Sequence, residues 1–167
     1  LDIPIETILD SIIKYKGTHR RLEMKGIING IKIIDDYAHH PTEIKASLKA
    51  LKNSTGGRIW CVFQPHTYTR TKKLLSSFAE SFSDANKVII PDIFAAREKD
   101  TGLIHSLNLV DELLKNGVDA KYMSSFENIE NYLIGNVSEG DIVVTMGAGN
   151  VYTIGEAILQ SKKKEAI

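Results

Sequence analysis

Three short stretches of this chain leave almost no room for a solvent-facing side. They are Ile59-Trp60-Cys61-Val62-Phe63, Lys87-Val88-Ile89-Ile90 and Asp141-Ile142-Val143-Val144-Thr145. A strand that alternates apolar and polar residues can rest one face on water; a continuous apolar run cannot, and it reads as a strand buried on both faces of a parallel sheet. Segments of helical period separate these runs. Pro41 to Leu51 sets Ile44, Leu48 and Leu51 on one face, and Leu74, Leu75, Phe78 and Phe82 mark another helix. Leu107 to Leu114, Phe126 to Ile134 and Tyr152 to Gln160 follow, with a weak strand at Ala120 to Met123. Strands alternating with helices predict an α/β, Rossmann-like, mainly parallel sheet with helices on both faces.

The first third of the chain has another rhythm. Ile5, Ile8, Leu9, Ile12 and Ile13 fall on one face of a helix, opened by Pro4 and ended by Gly17. Leu22 to Ile28 then alternates, Asn29-Gly30 is a hairpin turn signal, and Ile31 to Ile34 returns as the partner strand. An N-terminal β-hairpin is therefore expected ahead of the parallel sheet. The Lys162-Lys163-Lys164 tail reads as a solvated end. The first residue is Leu1 and the chain runs almost at once into a helix, which suggests a piece of a longer protein.

Lys+Arg and Asp+Glu number 21 each, so the formal net charge is zero. Such a balance gives no electrostatic case for nucleic acid or a membrane surface as partner. Cys61 is the single cysteine, so no disulfide forms within the chain. No apolar run approaches membrane-spanning length.

The chemistry gathers in the turns. In an open α/β sheet, ligands bind beyond the carboxyl ends of the strands. Four turns leave those ends, and each carries reactive or phosphate-friendly groups: Asp36-Tyr37-Ala38-His39-His40, Gln64-Pro65-His66-Thr67-Tyr68-Thr69-Arg70, Asp92 to Lys99, and Gly147-Ala148-Gly149-Asn150. If the alternation holds, all four share one edge. His39 and His40 sit before a helix start, as caps or as donors to an anion. Asp36 either caps its turn or accepts from a ribose hydroxyl or a lysine. Arg70 is a bidentate partner for carboxylate or phosphate, or a surface residue. Glu98 and Lys99 read as a solvated pair or as loop contacts, and Arg20 and Arg21, taken alone, as surface charge. Adjacent histidines rarely chelate one ion and no Cys/His spacing follows, so no metal site is expected.

Other machinery is missing. The dinucleotide glycine fingerprint fails, because Tyr152 stands where its third glycine belongs. No Gly-Lys pair occurs, so the chain has no P-loop and no triphosphate cradle of its own. No Ser or Cys sits in a nucleophile elbow.

Taken together, these motifs resemble the C-terminal domain of the Mur ligases. Asp35-Asp36-Tyr37-Ala38-His39-His40-Pro41-Thr42-Glu43 is similar to that domain's signature. Phe63-Gln64-Pro65-His66 with Tyr68-Thr69-Arg70-Thr71, Asp92 to Lys99 and Thr145 to Gly149 point to the alanine-adding branch, and Gly17-Thr18-His19-Arg20-Arg21 resembles the lead-in. The resemblance covers essentially the whole chain. It implies a bacterial, cytoplasmic, ATP-dependent ligase of peptidoglycan precursor synthesis, which joins L-alanine to UDP-N-acetylmuramate through an acyl phosphate. It also implies a sugar-nucleotide domain and a central P-loop domain, the latter binding most of the ATP and Mg2+. Residues 1–16 would be a linker helix from the preceding domain and 17–167 the C-terminal domain, inactive alone.

The same resemblance implies Arg21, Asp36 and Tyr37 as ATP-binding residues, with Tyr37, His39, His66, Arg70 and Glu98 lining the substrate side, Glu98 near the amino acid. It names no certain catalytic residue and no metal ligand on this chain. Thr67 stands where many relatives carry Arg, and Asn150 where they often carry Asp. Two alternatives are a murein-peptide ligase domain, against which the Phe63–Thr71 segment speaks, and a non-catalytic nucleotide- or phosphate-binding module.

Overall fold

A computed structural model describes residues 2–15 and 17–161. The Lys162–Lys164 tail lies outside the described residues. Six strands form one sheet: β1 (Glu23–Ile28), β2 (Ile31–Asp36), β3 (Ile59–Phe63), β4 (Lys87–Ile90), β5 (Ala120–Tyr122) and β6 (Ile142–Met146). Their order is β1-β2-β6-β3-β4-β5. The β1–β2 pair is antiparallel; the other neighbouring pairs among the described strands are parallel. The expected hairpin and parallel sheet are both present. At the hairpin, Asn29 and Gly30 have φ of 49° and 74°, the left-handed pair that a two-residue turn needs to match strand twist.

The helices are α1 (Ile5–Lys14), α2 (Pro41–Ser54), α3 (Tyr68–Lys73), α4 (Leu75–Ala79), α5 (Ser106–Lys115), α6 (Phe126–Asn136) and α7 (Tyr152–Ser161). One face of the sheet packs Ile44 and Leu48 of α2, Phe78 of α4 and Leu109 and Leu113 of α5 around Phe63. The other packs Ile129 and Leu133 of α6 and Ile154 and Ile158 of α7 against Trp60, Val62 and Val143. Every residue of β3 and of β6 is buried, as continuous apolar runs require.

One expected helix differs. The helix expected from Leu74, Leu75, Phe78 and Phe82 is only α4 (Leu75–Ala79); Leu74, with φ −108° and ψ 16°, separates it from α3, which begins inside the expected polar turn. Phe78 and Phe82 both reach Phe63, with ring centroids 5.4 and 5.2 Å away.

Helix α1 buries none of its residues against the rest of the described chain. Its apolar face, with Ile5, Ile8, Leu9, Ile12 and Ile13, is exposed throughout. At the amino ends of the strands, Asp141 accepts from the side chain of Arg58, the indole of Trp60 and the backbone N–H of Ser138. Burial raises its carboxyl pKa, but these donors outweigh it and the net shift is downward.

Candidate functional site

Parallel pairing puts the carboxyl ends of β2, β6, β3 and β4 on one edge, and the four turns converge there. The ring of His39 lies 6.2 Å from that of His66, which stacks on Phe94 at 5.5 Å. Backbone bonds tie the turns together. Gly147 N–H donates to the Asp36 carbonyl, Gln64 N–H to that of Met146, and Phe94 N–H to that of Pro65. Gly147 has φ +144°, and a side chain there would crowd the Gln64 carbonyl. This glycine is needed for close approach of two loops. Gln64 itself is buried, and its Oε1 has no hydrogen-bond partner among the described residues.

The first turn is held from within. Asp36 is 2% exposed. Its Oδ1 accepts from Ala38 N–H at 2.8 Å and its Oδ2 from the Ser47 hydroxyl at 2.7 Å. Both oxygens of Asp36 thus serve the turn that presents Tyr37 and His39. His40 caps α2 by accepting from Thr42 N–H. Glu43 Oε2 reaches back to the N–H groups of His39 and His40 at 3.0 and 3.2 Å. Burial raises the Glu43 pKa; these amide donors and the His39 ring overcome it, and the net shift is downward. His40 is thus a cap, and His39 is the imidazole that faces the neighbouring turn.

His39 Nδ1 lies 3.0 Å from the Tyr37 carbonyl, to which it donates. His66 Nδ1 lies 3.3 Å from Arg70 Nη1. A guanidinium only donates, so His66 Nδ1 accepts and Nε2–H is left as a donor. Burial lowers the His66 pKa first, with the Arg70 and His39 charges adding to it, while Glu98 works the other way. The site thus carries a charged Arg70 beside a neutral His66 at neutral pH. A planar cation with an adjacent N–H donor suits a carboxylate or phosphoryl oxygen.

Tyr37 is 36% exposed, and His39 packs edge-on against it at 5.5 Å. Arg21 is half exposed; its guanidinium lies 5.8 Å from the Tyr37 ring and its Nη1 3.8 Å from Glu43 Oε1. Arg21, Tyr37, His39, His66 and Arg70 therefore stand on one edge of the sheet. Glu98 is brought to the same edge but engages Thr69, accepting from its N–H at 2.9 Å and from its hydroxyl. Those two bonds hold its carboxyl below the usual range.

Sequence reasoning missed Arg20. It is not a surface charge: its side chain is 14% exposed and it ties three elements together. Its Nε donates to Asp35 at 2.7 Å, and its Nη2 and Nη1 donate to the carbonyls of Gly147 and Gly149 at 2.8 and 3.3 Å. Its guanidinium also lies over the rings of Tyr37 and Tyr152, 4.9 and 4.7 Å from their centroids. Thr145 donates its hydroxyl to the other oxygen of Asp35. The signal available in sequence was the apolar approach to Asp35, a carboxylate in need of a cation. Gly147, Gly149 and Tyr152, however, come from the far end of the chain.

Among the described residues, no group of three or more His, Cys, Asp and Glu is arranged to hold a metal ion, and no helix is long and apolar enough to cross a membrane.

A family model described as "Mur ligase, glutamate ligase domain" matches residues 20–149. The UDP-N-acetylmuramate–L-alanine ligase of Acetivibrio thermocellus is 55% identical over the whole chain, which spans 36% of that protein. A UDP-N-acetylmuramate–alanine ligase from Thermotoga maritima superposes with a TM-score of 0.81 at 22% identity, over 98% of this chain and 34% of its own. A murein peptide ligase from Psychrobacter arcticus superposes with a TM-score of 0.73 at 25% identity, over 96% of this chain and 33% of its own. The chain thus spans little more than a third of the curated relatives that it matches.

Proposed function

The chain belongs to the Mur ligase family, and from that premise we propose that it is the C-terminal domain of an ATP-dependent ligase that joins L-alanine to UDP-N-acetylmuramate in the bacterial cytoplasm. The observation that carries this reading is the pairing of Arg70 with His66 at a sheet edge that otherwise lacks any phosphate cradle. Such an edge is half a site. It supplies cations and donors for an acid substrate and needs a second wall to hold a triphosphate.

Each residue then has a role. Arg70 and the Nε2–H of His66 hold the muramate carboxylate while ATP converts it to an acyl phosphate and the alanine amine displaces phosphate. Charge develops on oxygen in both steps, and preorganised donors are the largest help a protein gives there. Arg21 reaches the nucleotide phosphates, and Tyr37 and His39 line the wall between nucleotide and acid. Asp36 acts through the turn. The residues of this edge fit ATP as cationic partners, whereas the ligands of Mg2+ would come from the remainder of the enzyme. Bound Mg2+ supplies further neutralisation of phosphate charge.

Within the proposed linker of residues 1–16, of which 1 and 16 lie outside the described residues, α1 (Ile5–Lys14) leads in from the preceding domain, which covers its exposed apolar face. Closure of the C-terminal domain over the central one completes and dries the site. The 55% identity across the full chain favours this substrate over the murein-peptide alternative.

The longer enzyme carrying this domain tests the proposal. Given UDP-N-acetylmuramate, L-alanine and ATP, it should yield the alanyl product by mass spectrometry, with one phosphate released per amide. Product formation only with a preformed peptide would assign the murein-peptide reaction instead.

A further inference from the structure

The resemblance implies a place for Glu98 near the amino-acid substrate. From its bonds to Thr69 we propose that Glu98 is a positioning residue that caps α3 from the neighbouring loop and so fixes Arg70 and His66. This rests on the reading of Arg70 and His66 as the holders of the acid substrate.

The need for such a cap is local. Helix α3 has six residues, far too few to be stable by itself. Its N-cap, Thr67, makes no side-chain capping bond, and no acidic residue lies in its first turn. Arg70, Lys72 and Lys73 crowd the same short helix. Thr67 also has φ +66°, a left-handed conformation that a β-branched residue adopts only when its surroundings enforce it.

The enforcement comes from the loop after β4. Thr67 N–H donates to the Phe94 carbonyl at 2.8 Å, and Phe94 N–H donates to that of Pro65 at 2.8 Å. His66 and Phe94 form a parallel bridge. Glu98 completes the brace, with one oxygen accepting from Thr69 N–H at 2.9 Å and the other from the Thr69 hydroxyl. Thr69 precedes Arg70 directly, so the carboxylate anchors the turn that aims the guanidinium. A carboxylate engaged this way supplies the missing N-terminal cap and the missing negative charge together.

The test uses the longer enzyme with Glu98→Ala, Glu98→Gln and Thr69→Val. A positioning role predicts that Glu98→Ala raises KM for UDP-N-acetylmuramate about tenfold, the worth of about one good hydrogen bond to a charged group, with KM for L-alanine within about twofold. Thr69→Val should move KM in the same direction and Glu98→Gln should restore most of the loss. A rise in KM for L-alanine alone, insensitive to Thr69→Val, would overturn the proposal, as would no change in either KM. A second readout does not depend on the reaction: hydrogen exchange at the Thr69 amide of the ligand-free enzyme should speed up about tenfold in Glu98→Ala. Unchanged exchange would overturn the cap even if the enzyme used a different acid, and accelerated exchange in an enzyme inactive on UDP-N-acetylmuramate would uphold the cap and reject the substrate.

Discussion

Arg20, largely shielded from solvent, and the buried Asp35 form an ion pair at 2.7 Å, with side chains 14% and 2% exposed. The pair stands behind the site. Its cation braces the glycine turn and the Tyr37 ring, and its anion is shared with Thr145. Breaking one side of such a pair leaves a buried charge without compensation. Arg20→Ala should therefore cost about 3 kcal/mol and lower the melting temperature of the enzyme by several degrees. Arg20→Met combined with Asp35→Asn should lose less, because no charge remains buried. Calorimetry of the three proteins checks the order; equal losses in the single and the double variant would contradict it.

His66 predicts a pH dependence with a defined sign. Its folded pKa is lowered, chiefly by burial and then by the Arg70 charge, while the unfolded chain titrates near the ordinary value of about 6.5. Between those two values the unfolded chain binds more protons. The stability contributed by neutral His66 is therefore intact above the ordinary pKa and is lost as pH falls from there through the lowered folded value. Melting temperatures between pH 8 and 5 should fall more steeply for the native sequence than for His66→Asn. Parallel curves would show that His66 is not held neutral in the fold.

Much of this architecture was legible before the structure. Ile59 to Phe63 could only be a strand buried on both faces, and Asn29-Gly30 could only close a hairpin tightly. The shared edge followed from strands running in parallel, so the meeting of His39 with His66 was expected in kind. What sequence withheld depends on distant partners. The neighbourhood of Arg20 hides its buried role, because the carbonyls of Gly147 and Gly149 come from the far end of the chain. Capping by Asp36 was one of the readings open in sequence, but its bond to Ser47 and that of Glu98 to Thr69 depend on positions that only the fold supplies. The break at Leu74, between α3 and α4, is a local backbone turn that helical periodicity does not express.

The most direct test of the account is the kinetic signature of Arg70→Ala in the longer enzyme. If Arg70 and His66 hold the carboxylate that becomes the acyl phosphate, KM for UDP-N-acetylmuramate should rise at least about tenfold, as truncating one partner of a charged pair does, while KM for ATP stays within about threefold. An equal rise in both constants, or a rise for ATP alone, would contradict it and assign Arg70 to the nucleotide.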